Sequence, residues 1–116
     1  MSAHTRIGSV AETRGEMVRT ARGIINDVIG IVSGSRELAR LRFGSTTEYD
    51  RDVLIFVGID SESDHFPLGD VRRHWSAEAL KAKDAELLDY EARVRERAFQ
   101  ACESFILHYS KYDDVA

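Results

Sequence analysis

The residues best suited to chemistry lie in one short stretch where acids alternate before a histidine: Asp60, Glu62, Asp64 and His65. Acids at positions one, three and five are how a calcium-binding EF-hand loop begins. That loop also needs glycine at position six and a bidentate glutamate at position twelve, where this chain has His65 and Val71. We therefore predict no metal and no cofactor here, and we expect the short acids to cap the adjacent helix or turn.

A second group of functional side chains follows directly after the acids: Arg72, Arg73, His74 and Trp75. Arginine and tryptophan are frequent anchors of protein interfaces, so this group could form a protruding binding surface. The sequence leaves two other interpretations open. The arginines could pair with the nearby acids and make the loop rigid, and Trp75 could fill the core at one end of a helical bundle.

Catalytic groups are present without the arrangement that an enzyme needs. His65 and His74 could each pair with a nearby aspartate, but acid–base catalysis also requires a cleft and an oxyanion donor or a metal. No GxSxG, GxxxxGK[ST], GxGxxG or CxxC motif occurs. Cys102 lies on the apolar face of a predicted helix and is expected to be an inert core residue. We expect no enzymatic activity.

The charge distribution argues against nucleic-acid binding. The formal net charge is −4, and residues 52–116 carry fourteen acids against eight lysines and arginines. A nucleic-acid-binding protein needs a concentrated basic face. Arg36, Arg40 and Arg42 form only a small basic patch, which Glu37 dilutes. Nucleic acid is thus an improbable partner, whereas the acidic half could attract a protein with a basic surface.

The last third of the chain gives the clearest helix prediction. Ser76 is a capping residue, and no glycine or proline follows it. Apolar side chains recur on one face at helical spacing: Leu80, Leu87, Leu88, Val94, Ala98, Ala101, Cys102, Phe105, Ile106 and Tyr109.

A second long helix is predicted near the start of the chain. Ser9 and Glu12 have capping-box spacing, and apolar residues then recur as far as Val32, which predicts a helix of about 24 residues. The Ser33-Gly34 pair should end it. Gly23 and Gly30 lie on nearly the same face and favour close approach of another helix.

The segments between the two long helices are short. We predict a serine-capped helix over Arg36–Phe43 and a further capping box at Ser45 to Glu48. Residues 49–59 fit either a helix or a buried strand. We favour the helix, because a lone strand would leave its backbone groups without partners. Residues 60–69 form the one clear loop, and one helical turn is predicted at 70–75.

These elements predict an all-α protein: an antiparallel bundle of about four helices, with long first and last helices and one acidic loop. Residues 1–116 should form a single domain, with disordered tails at 1–8 and 111–116. The N-terminus lacks the apolar core of a signal peptide, and the apolar stretches are too short to span a membrane. With a single cysteine, a cytoplasmic location is expected.

The stretch IDSESDHFPLGDVRRHW at 59–75, followed by the helix start SAEAL, resembles an uncharacterised family of small bacterial helical proteins. The similarity extends from Arg19 to Ile106. The resemblance implies a bacterial, stand-alone helical protein. It brings no activity with it and assigns no functional residues.

The sequence therefore predicts a non-enzymatic protein-binding module, such as an immunity protein or antitoxin that restrains a partner with a basic surface. The predicted partner-binding residues are Asp60, Glu62, Asp64, His65, Arg72, Arg73 and Trp75. Apolar helix surface left uncovered also favours a homodimer. The alternatives are a metal- or small-molecule-binding protein or enzyme that uses residues 60–74, and a nucleic-acid-binding regulator that uses Arg36–Arg42.

Overall fold

Helices make up the whole framework of the protein. The computed structural model describes the backbone of residues 2–112 and the side chains of residues 10–112. Within that range there are four α-helices, two short 3-10 helices and no strand. The α-helices are α1 (Ser2–Ile25), α2 (Ile31–Leu41), α3 (Arg51–Glu62) and α4 (Ala77–Tyr109), and the 3-10 helices span Gly69–His74 and Ser110–Tyr112.

The predicted all-α class is confirmed, and residues 51–59 are helical, as we favoured. The antiparallel arrangement of a four-helix bundle remains a prediction. Of the predicted tails at 1–8 and 111–116, residues 2–8 lie in α1 and residues 111–112 in the last 3-10 helix, while Met1 and residues 113–116 lie outside the described part of the chain, so the disorder of the tails remains a prediction.

The core lies where α4 meets α1 and α3, and where α2 meets the same two helices. Each helix contributes fully buried apolar side chains, including Met17, Val18, Val32, Leu38, Val53, Phe56, Ala98, Cys102 and Phe105. The 33 residues of α4 at about 1.5 Å per residue span about 50 Å. This matches the 51 Å long axis of the molecule.

The first helix ends earlier than its apolar stripe predicts. α1 stops at Ile25, and Asp27 follows in a left-handed conformation with φ 58°. Aspartate tolerates that conformation better than most residues. The amides of the next two residues donate to the Gly23 carbonyl at 2.9 and 3.0 Å. The prediction of one helix to Val32 was wrong, because apolar residues at helical spacing continue on the far side of this turn.

The predicted stop at Ser33-Gly34 is also wrong, since both residues belong to α2. Gly34 lies where α2 contacts α1, and a Cβ atom there would collide with the buried side chain of Ile24. At Gly23, the close neighbour is not another helix. The Ile29 side chain of the turn that follows α1 occupies that space, at 2.5 Å from where a Cβ would lie.

The N-terminus of α2 is capped by a residue of α4. Gly30 stands at the N-cap without a side chain to accept a hydrogen bond. Instead, the Glu91 Oε2 atom accepts from the Val32 amide at 2.9 Å. A carboxylate at this position also interacts favourably with the helix dipole. The contact fastens the start of α2 to the middle of α4.

Removing this cap should lower stability measurably. We expect Glu91→Ala to reduce the free energy of unfolding by about 1 kcal/mol, the usual contribution of an N-cap side chain. Urea denaturation measures this change. Glu91→Gln is the control, because its amide oxygen can still accept from the Val32 amide, and it should recover at least half of the loss. Equal losses in both variants would show that the hydrogen bond does not stabilise the helix.

The residues that cap α3 differ from the prediction. Asp50 is the N-cap and accepts from the amides of Asp52 at 2.9 Å and Val53 at 3.3 Å. The predicted capping box at Ser45 to Glu48 was wrong. Ser45 is buried in the preceding turn, and its hydroxyl lies 2.7 Å from that of Thr47.

The capping of α4 by Ser76 is as predicted. The Ser76 hydroxyl accepts from the amide of Ala79 at 3.1 Å. The predicted cap at Ser35, by contrast, lies inside α2 and is buried. Serine is favoured at caps and turns and less so in helix interiors, yet Ser35 is an interior residue, so its type alone does not mark a helix end.

The two ends of the described chain meet through Arg14 of α1. Its guanidinium donates to the Ser45 carbonyl at 2.8 Å, to the Thr46 hydroxyl at 2.7 Å and to the Tyr112 hydroxyl at 2.9 Å. It also lies 5.6 Å from the centre of the Tyr109 ring. One cation thus fastens α1 to the turn before α3 and to the end of α4.

Candidate protein-binding surface

The residues predicted to bind a partner lie on and around the connecting segment between α3 and α4, residues 63–75. The predicted loop starts later than expected, because Asp60 and Glu62 belong to the last turn of α3. The segment is partly internal. Phe66 and Pro67 are buried, and the Phe66 ring lies 6.0 Å from that of Tyr90 in α4.

Arg36 of α2 holds the start of the connecting segment. Its Nη2 atom donates to the carbonyls of Ser63 at 2.5 Å and Phe66 at 3.0 Å. Its Nε atom lies 3.5 Å from the Asp60 carboxylate. A charged donor to carbonyls that follow a helix end is a strong hydrogen-bond partner. Arg36 is therefore a structural clamp between α2 and the end of α3.

The other two arginines of the predicted basic patch are also engaged locally. Arg40 pairs with Glu37 at 2.6 Å on the surface of α2. The guanidinium of Arg42 donates to the Ala39 carbonyl and lies 4.3 Å from the centre of the Phe43 ring. The three arginines thus do not act as one basic surface.

Arg72 holds the second half of the connecting segment. It makes two parallel hydrogen bonds of 2.8 Å to the Asp84 carboxylate and a third, of 3.2 Å, to the Pro67 carbonyl. The hydrogen bonds from Arg72 lower the pKa of Asp84. This pair therefore stabilises the folded protein above the ordinary pKa of aspartate, and the stabilisation is lost as the pH falls through the lowered value.

Glu62 joins the end of α3 to α4. Its carboxylate accepts from the Tyr90 hydroxyl at 2.7 Å and lies 3.5 Å from the Arg97 guanidinium. Burial and the hydrogen bond to Glu62 raise the pKa of Tyr90 above its ordinary value. Asp60, Glu62, Arg72 and, through Lys83, His65 thus have partners within the protein, which makes four of the seven predicted partner-binding residues.

The remaining predicted residues face outward. Within residues 10–112, neither Asp64 nor Arg73 takes part in a hydrogen bond or ion pair, and both are exposed. Trp75 is 37% exposed, so it is not the buried plug that the sequence left open. His65 stacks on Phe66 with ring centres 4.1 Å apart, and its Nδ1 lies 3.2 Å from Lys83 Nζ.

Three further exposed residues, of which the sequence pointed only to His74, complete this surface. Asp70, Val71 and His74 lie on the 3-10 helix and are exposed, Val71 by 53%. Together with Asp64, Arg73 and Trp75 they form what we call the segment surface. It presents an indole, an aliphatic side chain and charges of both signs on a backbone that Arg36 and Arg72 hold in place.

The histidine–aspartate pair that the sequence offered for His65 is not formed. His65 lies against a lysine instead of an aspartate. No three His, Cys, Asp or Glu side chains within the described range lie close enough together to hold a metal ion. Burial raises the pKa of Cys102 to about 12, which keeps this thiol protonated and unreactive.

The partners of the two clamping arginines could not have been identified from sequence. Arg36 is 27 and 30 residues from its two carbonyl acceptors, and Arg72 is 12 residues from Asp84. No local spacing rule covers such distances, since helical pairing rules extend only to i,i+4. The arginine-rich, acid-rich composition of 60–75 was the only available signal.

No family model, no curated protein and no solved structure matches this chain. The resemblance to small bacterial helical proteins therefore gains no support, and the proposals below depend on the surface itself. None of the helices in the described range is both long and apolar enough to cross a membrane.

Proposed function

We propose that this protein is a non-enzymatic protein-binding module and that the segment surface is its binding site. The observation that carries the proposal is an irregular segment, held by Arg36 and Arg72, on which the exposed Asp64 and Arg73 make no hydrogen bond or ion pair within the described residues and Trp75 is 37% exposed. A segment ordered before binding loses little conformational entropy when a partner docks. Trp75 and Arg73 are of the residue types that most often dominate interface energies.

The proposed partner is a protein whose surface is basic where it faces Asp64 and Asp70. Such a module would restrain its partner by covering a functional surface, as immunity proteins and antitoxins do. Asp60 and Glu62 already have partners within the protein. The acids that can contact the basic surface are therefore Asp64 and Asp70. Arg73 then requires an acid on the partner, and this mixture of signs favours specificity over raw affinity.

We also propose that the helices form an antiparallel four-helix bundle and that the protein works in a reducing compartment. The contacts of α4 with α1 and α3 support the antiparallel four-helix bundle. The buried Cys102, the only cysteine in the chain, suits a reducing compartment such as the cytoplasm.

The binding proposal is tested with a partner identified by affinity purification from the source cells and then purified for calorimetry. We expect Trp75→Ala and Asp64→Lys each to weaken binding about tenfold or more, because interface anchors contribute about 2 kcal/mol. Glu12→Lys is the charge control, since Glu12 is exposed on α1. It should change affinity by less than about twofold.

Unchanged binding would refute the segment surface as the binding site. If Trp75→Ala and Asp64→Lys bind the partner as tightly as the unmodified protein, the partner docks elsewhere. Circular dichroism of both variants ensures that an affinity loss does not arise from unfolding.

A further inference from the structure

The face of α4 that points away from the core carries apolar side chains that are exposed or half-buried. Leu88 is 69% exposed, and Ala85 and Ala92 are exposed beside it. Phe99 is half-buried, packs partly against the core and lies under the guanidinium of Arg95, 4.3 Å from the ring centre, at a surface groove of about 460 Å³. The outer face of a helix on a globular core is usually polar. This face therefore offers apolar surface to a partner.

The apolar side chains form a straight stripe with opposite charges at its two ends. We call this the outer stripe: Lys81, Ala85, Leu88, Ala92, Phe99 and Glu103. Lys81, Ala92 and Glu103 follow one another at intervals of eleven residues. Eleven residues make about three helical turns, so all three lie close to one line along the helix. The stripe is about 33 Å long at about 1.5 Å per residue.

We propose that the outer stripe is the interface with a second copy of this chain, packed antiparallel with Ala92 at the two-fold axis. In this arrangement, residues equally far before and after Ala92 face each other across the interface. Lys81 then faces Glu103 of the other copy, and Ala85 faces Phe99. Two-fold symmetry repeats each of these pairs.

The stripe is complementary to itself at its two charged ends and at Ala85 and Phe99, whereas Leu88 lies opposite Glu96 of the other copy. The small Ala85 stands opposite the large Phe99 ring of the other copy. Leu88 packs beside that ring. Ala92 meets its own copy at the centre, where small side chains let two helix axes approach to about 8 Å. The positive end of each stripe meets the negative end of the other. A partner of unrelated sequence would not require Lys81 and Glu103, or Ala85 and Phe99, to lie equally far from Ala92.

The proposed dimer uses the side of α4 opposite its core residues, such as Tyr90, Val94 and Ala98. The connecting segment contacts α4 through Phe66, whose ring lies beside that of Tyr90, and through Arg72, which pairs with Asp84 at the border of the stripe. The dimer proposal does not depend on the protein-binding function proposed above.

Sedimentation equilibrium of the full chain tests this proposal, from about 1 to about 100 µM. We expect a species of twice the 13.1 kDa chain mass. Ala92→Arg places two cations at the axis and should raise the dimer Kd about a hundredfold or more. The control is Leu54→Arg, because Leu54 is 51% exposed on α3, away from the stripe. This control should leave the Kd unchanged.

A charge exchange tests the antiparallel register. Lys81→Glu sets like charges against each other at both ends and should raise the Kd about tenfold. Adding Glu103→Lys restores opposite charges and should return the Kd to within about threefold of the original. A protein that is monomeric throughout the range, or a dimer indifferent to Ala92→Arg, overturns the proposal and assigns the stripe to another occupant. Failure of the double exchange to restore dimerisation overturns the register.

Discussion

Replacing Arg36 by alanine should lower the free energy of unfolding by about 2 kcal/mol, because hydrogen bonds from a charged donor are strong and the Phe66 carbonyl loses this donor, although the Ser63 carbonyl keeps the Phe66 amide. The Ser63 and Phe66 carbonyls and the Asp60 carboxylate all lose this partner. The connecting segment should loosen as well, so the amides of residues 63–68 should exchange with solvent faster. Urea denaturation and hydrogen exchange measure the two effects.

Arg40→Ala is the matched control, one helical turn further along α2. Arg40 pairs only with Glu37, and its side chain is 65% exposed, so its loss should change stability by less than about 0.5 kcal/mol. If the two variants lost equal stability, or if exchange in the connecting segment stayed unchanged in Arg36→Ala, the clamp would have no stabilising function. Partner binding should also weaken in Arg36→Ala, because the segment surface is no longer held in one shape.

Replacing Phe105 by alanine should have the larger effect, a loss of about 3–5 kcal/mol in the free energy of unfolding. The Phe105 side chain is fully buried, and its ring lies 4.6 Å from that of Tyr109. Truncation removes a large apolar group from the core and leaves a cavity that the neighbouring helices cannot fill. In a protein of this size, such a loss could approach the whole stability.

Phe43→Ala provides the control for Phe105→Ala. Phe43 is a phenylalanine of the same size, but it is largely exposed after α2. Its truncation should cost less than about 1 kcal/mol, mainly the contact with Arg42. Thermal unfolding of the two variants compares them directly, and a similar loss in both would contradict the position of Phe105 in the core.

A helix could be predicted from the sequence where its cap and its apolar spacing indicated the same boundaries. Ser76 and the apolar face that follows it predicted α4 almost to the residue, because a serine cap and an uninterrupted periodic face leave no alternative. The turn after α1 was missed for the converse reason. The apolar spacing continues through Ile25 and Ile31 as if no turn intervened, and only Asn26 and Asp27 mark the break.

The segment surface could be located from sequence but not sorted into inner and outer residues. Asp60 and Asp64 are equivalent in type and lie four residues apart, yet one pairs with Arg36 and the other is exposed. Which of the two acids pairs with Arg36 depends on where α2 lies relative to α3. That placement is a property of tertiary packing. The same holds for Arg72 and Arg73, since Asp84 of α4 can be reached by only one of them.

The order in which the helices are made has a consequence for folding in the cell. The main contacts of α1 outside α2 are with α4, and the Arg14 contact closes on Tyr112. During synthesis, α2 and α3 can associate as soon as they leave the ribosome, since they are neighbours in sequence. The side of α1 that packs against α4 remains uncovered until the final helix emerges. Chaperones that shield apolar helices would therefore act on α1 during this interval.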